Sequence, residues 1–105
     1  MKYADEVYAI LDKIPKGKVV TYKQIAIMLG NKNLARVVGN VLHKNPLPLI
    51  HPCYKVVNNK GELAKNFGYG GIEKQKEMLI NDGIEVIEYK VNLNKYRWKL
   101  WKKFW

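Results

Sequence analysis

A mainly helical domain with short strands, of helix-turn-helix or winged-helix type, is the fold class this sequence predicts. Three observations carry the expectation. Apolar residues recur at helical spacing near the start of the chain. A helix-capping pair at Thr21 and Gln24 opens a second amphipathic segment, and a third follows after a short polar turn. The extended pieces between them are short and bounded by proline or glycine.

Taken in order, Tyr3, Val7, Ile10, Leu11 and Ile14 line one face of a first helix, which Pro15-Lys16-Gly17-Lys18 ends. Val19-Val20-Thr21 is a short extended piece. In the second helix the Thr21 hydroxyl and the Gln24 amide can each satisfy an unpaired backbone N–H. Ile25, Ala26 and Leu29 form its inner face, and Gly30 can take the left-handed conformation that stops it. After Asn31-Lys32-Asn33, Leu34, Val37, Val38, Val41 and Leu42 make the apolar stripe of a third helix. Arg36, Asn40 and His43 lie on another face of it. A short helix, a tight turn and a polar-faced helix describe a helix-turn-helix.

The prolines of Asn45-Pro46-Leu47-Pro48 push their predecessors to extended backbone, and 50–57 then runs through the core. Asn58-Asn59-Lys60-Gly61 reads as a turn, and Phe67-Gly68-Tyr69-Gly70-Gly71 as a loop where backbone can approach a ligand. A charged helix spans 72–82, closed by Gly83, and 84–91 alternates imperfectly as a strand. The tail at 96–105 is basic and aromatic. Trp98, Trp101 and Trp105 are spaced as on an amphipathic helix, either with Trp98 packed on the domain or with the face turned to DNA or a partner.

A length of 105 residues implies one domain, 1–105. Nineteen Lys and Arg against nine Asp and Glu give a net charge of +10, which favours polyanions, nucleic acid first. A generally lysine-rich proteome would give the same balance. One cysteine forbids an internal disulfide and a zinc site built on several thiolates, so no metal is expected. Acids stand near the N-terminus where a signal peptide would be apolar, and no run is long enough to span a bilayer. The expectation is a monomer, cytoplasmic and nucleoid-associated, with no membrane contact.

That cysteine, Cys53, follows Pro52 between a candidate DNA-reading element and a glycine-rich loop. Such a residue is commonly a small buried hydrophobe. Its setting also fits a nucleophile that acts on DNA.

The residues around it resemble the O6-alkylguanine-DNA alkyltransferases and the alkyltransferase-like proteins. The signature Pro-Cys-His-Arg-Val stands here as Pro52-Cys53-Tyr54-Lys55-Val56. Asn45-Pro46-x-Pro48, Thr21-Tyr22-x-Gln24-x-Ala26 and Ala35-Arg36-x-Val38-Gly39 match in order and spacing, from about Tyr3 to Glu85. The resemblance is to the C-terminal DNA-binding domain of the family.

What it implies is direct repair of double-stranded DNA containing O6-alkylguanine, with no cofactor needed. The helix-turn-helix would bind the minor groove, the guanine would rotate out of the stack, and its alkyl group would pass once and permanently to Cys53. Arg36 would fill the vacated space, or make an ordinary phosphate contact. Ala35 and Gly39 would let the third helix sit close to DNA, or serve helix packing, with Asn40 on the same binding element. Tyr22 would crowd the flipped nucleotide and donate a proton or hydrogen bond. Asn45 and Pro48 would brace the pocket, and Tyr69, Gly70 and Gly71 would wall it and offer N–H groups to O6.

Two departures stand out. The family's base, a histidine after the cysteine, is Tyr54 here, a phenol with an ordinary pKa of ~10 and so a poor base at neutral pH. The glutamate that orients that base is Asp82, a partner for Tyr54 or a solvated surface acid. Lys55 in place of arginine keeps a charge that could lower the thiol pKa, and His51 is a stand-in base of unknown direction. The stretch Gln75-Lys76 through Asp82-Gly83-Ile84-Glu85, with Asn92-Leu93-x-x-Tyr96-x-Trp98, looks more like the alkyltransferase-like proteins. Those bind alkylated guanine and recruit repair factors, and typically carry tryptophan at the nucleophile position. Three readings follow: alkyl transfer to Cys53, lesion recognition without transfer, or a winged-helix regulator with a merely buried cysteine.

Overall fold

The computed structural model describes residues 3–44, 51–68 and 70–99. Asn45, Pro48, Tyr69, Trp101 and Trp105 lie outside the described residues.

The first helix, α1, runs Ala4–Lys13 and buries Val7 and Leu11, four apart on one face. A two-residue strand, β1 (Val20–Thr21), leads directly into α2 (Tyr22–Met28). The capping box forms as the sequence predicts: the Thr21 hydroxyl accepts the Gln24 N–H at 3.1 Å, and the Gln24 side chain accepts the Thr21 N–H at 3.0 Å. Gly30, at φ 103°, follows where the chain leaves the helix. A 3₁₀ turn at Lys32–Leu34, capped by the Asn31 side chain, feeds α3 (Ala35–His43). The expected helix-turn-helix is therefore α2, this turn and α3.

Beyond it lie a 3₁₀ turn at Cys53–Lys55, strand β2 (Val56–Val57) and helix α4 (Gly71–Asn81). The single strand expected over 84–91 is instead a hairpin of β3 (Val86–Ile87) and β4 (Lys90–Val91). Glu88 and Tyr89 turn it with positive φ, so the residues that signal most tight hairpins are missing. A four-residue helix, α5 (Leu93–Tyr96), capped by Asn92, had no sequence expectation. Trp98 packs on the domain, one of the two expected arrangements.

The strands β1 and β2 pair in parallel, Val20 with Val56 and Thr21 with Val57. Successive strand residues face opposite ways. Val20 and Val56 therefore join one apolar cluster with α1, α2, α3 and Trp98, while Val19 and Val57 join a second with Leu79, Ile84 and Tyr96. This short ribbon is the seam between the clusters, and Cys53 sits at its edge in the first of them. Among the described residues no helix is long and apolar enough to cross a membrane.

Candidate active site

Pro52 sits at φ −73°, ψ 70°, the inverse γ-turn that its ring favours, and the Cys53 N–H donates to the His51 carbonyl across it at 2.7 Å. The 3₁₀ turn then sends three consecutive side chains in three directions. Cys53, 7% exposed, lines a cavity of about 280 Å³ between α3 and residues 64–68. That volume is near the lower end for small-molecule pockets. Tyr22 lines the same cavity, placed there as the first residue of the helix that Thr21 caps. Burial, then the charge of the nearby Cys53, raises the Tyr22 phenol above its ordinary pKa, so at neutral pH it is a hydrogen-bond donor.

Gly39 also lines the cavity. A Cβ there would meet nothing within 4 Å among the described residues. A mid-helix glycine costs ~1 kcal/mol against alanine, and no internal contact here requires it. Ala35 does pack against the first cluster, whereas Arg36 and Asn40 are exposed on α3. Tyr22, Gly39 and Cys53 thus come together, with Arg36 and Asn40 on the outer face of the same element.

Tyr54 and Asp82 do not line the cavity. Tyr54 packs against the second cluster, and its hydroxyl donates to Asp82 Oδ1 at 3.5 Å. Burial first, then the charge and hydrogen bond of Asp82, then Cys53, push the phenol up to about 12. Asp82 is not a solvated surface acid: its side chain is 11% exposed, and Oδ2 also accepts the Gly17 N–H at 2.8 Å and pairs with Lys55 Nζ at 3.3 Å. Lys55 itself is buried, and it donates to the carbonyls of Pro15 at 3.1 Å and Ile14 at 3.4 Å. Its charge is paired with Asp82 at the C-terminal end of α4 and with the carbonyls that follow α1.

The glycine loop is corrected too. Gly70 and Gly71 carry positive φ and start α4, but neither lines the cavity, and the Gly71 N–H donates to the Phe67 carbonyl at 2.9 Å. Among the described residues the wall is 64–68. Gln75 was missed as a site residue. It is fully buried against the cavity, its Nε2 donating to the carbonyls of Tyr54 and Val56 and its Oε1 accepting the Ala64 N–H at 2.8 Å. One side chain thereby holds the turn at 53–55 and the loop wall together. Its signal was a polar residue on the same helix face as Leu79, four positions on. Among the described residues, no group of three His, Cys, Asp or Glu is arranged to hold a metal ion.

Comparison with known proteins matches this geometry to a family. A DNA base-flipping protein of Vibrio parahaemolyticus is 38% identical over 95 residues, 90% of this chain and 93% of that protein. A bifunctional methyltransferase/endonuclease of Picrophilus torridus is 40% identical over 91 residues, 86% of this chain, which spans only 30% of that protein's length. The crystal structure of S. pombe Atl1 in complex with damaged DNA containing O6-carboxymethylguanine superposes with a TM-score of 0.85 at 33% identity, covering 93% of this chain and 95% of that one. Residues 2–84 match the 6-O-methylguanine DNA methyltransferase DNA-binding domain, and the chain belongs to that family.

Proposed function

We propose that this chain binds double-stranded DNA containing O6-alkylguanine, draws the modified base into the cavity and accepts its alkyl group on Cys53. The observation that carries the reading is the position of the Cys53 thiol on the wall of an open cavity beside α3, with the Tyr22 phenol on the same wall. The charge of +10 favours the DNA backbone, and Arg36 and Asn40 stand ready on α3. Extruding a base costs about a few kcal/mol, less for a poorly paired lesion, which itself biases binding to damage. The thiolate attacks the alkyl carbon, an S–C bond forms as the C–O6 bond breaks, and the electron pair returns to guanine. Tyr22, protonated at neutral pH, supplies a hydrogen bond to the leaving base.

A second reading, lesion recognition without transfer, has an observation of its own. The residue after the nucleophile is a phenol with its pKa at about 12, held by Asp82, and it is no base at neutral pH. Incubation with an O6-methylguanine duplex, followed by intact mass and peptide mapping, separates the two. Transfer adds one methylene to the Cys53 peptide and is abolished in Cys53→Ala. Tight lesion binding with no mass gain supports recognition alone and overturns transfer.

A further inference from the structure

His51 is the imidazole nearest in sequence to the nucleophile, and it is held in place. Its ring lies flat on Tyr8, with centroids 4.7 Å apart and planes 8° from parallel. Its Nδ1 is 2.9 Å from Asp12 Oδ1. Tyr8 and Asp12 are four residues apart on α1 and so share a face. The Tyr8 hydroxyl donates to the Val41 carbonyl at 3.4 Å, which fixes the stacking platform between α1 and α3, where the first cluster holds Cys53. Thiol and imidazole project from the two ends of one inverse γ-turn.

We propose that the Asp12–His51 pair stands in for the missing base and receives the proton of the Cys53 thiol. The inference rests on the transfer reading above. A carboxylate on Nδ1 fixes that nitrogen as the donor and leaves Nε2 as the acceptor, while the stack sets the plane of the ring. The S–H proton passes to His51 Nε2, and the thiolate takes the alkyl carbon. The C–O6 electron pair goes to guanine, and the imidazolium proton leaves by way of solvent as guanine regains a proton on N1. The sum moves one proton from sulfur to the base and needs no oxidant or cofactor. His51 is the catalytic residue here, and Asp12 a positioning residue.

Tyr8 and Asp12, both from α1, meet the ring, Cys53 follows it two residues on in the same turn, and Lys55 is committed to Asp82. The Tyr8 phenol is raised first by burial, then by Cys53 and Asp5, which places the platform within electrostatic reach of the sulfur.

The test is the rate at which iodoacetamide alkylates Cys53 as a function of pH, read by peptide mapping in the wild type, His51→Gln and Asp12→Asn. This probe needs no DNA, so its outcome stands apart from the transfer reading. Glutamine can keep a hydrogen bond to Asp12 but does not titrate. The expected wild-type thiol titrates below the ordinary ~8.5, and His51→Gln raises it by about one unit or more, slowing alkylation at pH 7 about tenfold. Asp12→Asn moves the profile the same way by less. A His51→Gln profile that superimposes on the wild type overturns the proposal. Should His51→Gln fail to fold, an unmoved Asp12→Asn profile overturns the pair. A shifted profile in a protein that never takes a methyl group from O6-methylguanine supports the base and overturns only the transfer.

Discussion

Lys55 Nζ lies 3.3 Å from Asp82 Oδ2, with the two side chains only 5% and 11% exposed. The pair ties the turn at 53–55 to the C-terminus of α4, and the Pro15 and Ile14 carbonyls extend the tie to the end of α1. Removing one partner strands the other charge. Asp82→Ala should therefore cost about 3–5 kcal/mol in urea unfolding. Lys55→Met combined with Asp82→Ala should cost clearly less than the sum of the single changes. Strict additivity would show that the two charges are not coupled.

Gly39 allows a separation of stability from binding. Its Cβ direction is empty within the chain, so Gly39→Ala should raise stability by up to ~1 kcal/mol through helix propensity alone. The same methyl group should weaken binding to a duplex that lies against α3. Thermal melting and fluorescence anisotropy on one preparation check both halves. A variant that binds as well as wild type would show that DNA does not approach this glycine.

The Tyr54 phenol is raised to about 12 by burial and Asp82, above its ordinary ~10 when unfolded. The folded state thus holds this proton more tightly. The resulting stability is complete below about pH 10 and is lost as pH rises through about 12. Guanidinium unfolding between pH 8 and 12 should show a steeper alkaline decline in wild type than in Tyr54→Phe. Parallel declines would mean that the Asp82 contact has no effect on titration.

Arg36 is exposed on α3, one turn from Gly39. Arg36→Ala should weaken binding to an O6-methylguanine duplex more than to an undamaged one, as expected of a side chain that replaces the extruded base. Salt titrations supply the contrast. A simple phosphate contact would reduce both affinities equally and lower the slope of log K against log salt by about 0.9.

Local signals were legible in the sequence. The capping box at Thr21 and Gln24, the Gly30 stop, and the stripes of α1 and α3 appear where residue spacing places them. Tyr22, Gly39 and Cys53, singled out in the sequence for different roles, line one cavity. What escaped depends on distant partners. The β1–β2 pair joins Val20 to Val56 over two residues, too few for any periodicity to register. Lys55 read as a charge beside the thiol and Asp82 as a partner for Tyr54 or a surface acid; their pairing escaped because the burial of each depends on the other, 27 positions away by their numbering. The Phe67 carbonyl takes the Gly71 N–H, so the glycines that looked like a substrate wall serve to start α4. The direction of His51 depends on Asp12 and Tyr8, both on the first helix.

The turn at 53–55 carries one more implication. Its neighbours Tyr54 and Lys55 are anchored to Asp82, and Gln75 grips the Tyr54 carbonyl, so the direction in which position 53 points is set by groups other than its own side chain. What stands at 53 is therefore exchangeable without rebuilding the scaffold. A lineage could trade sulfur for an inert group, or regain it, in a single codon change while its grip on damaged DNA persisted. Repairer and sentinel would then be two settings of one frame.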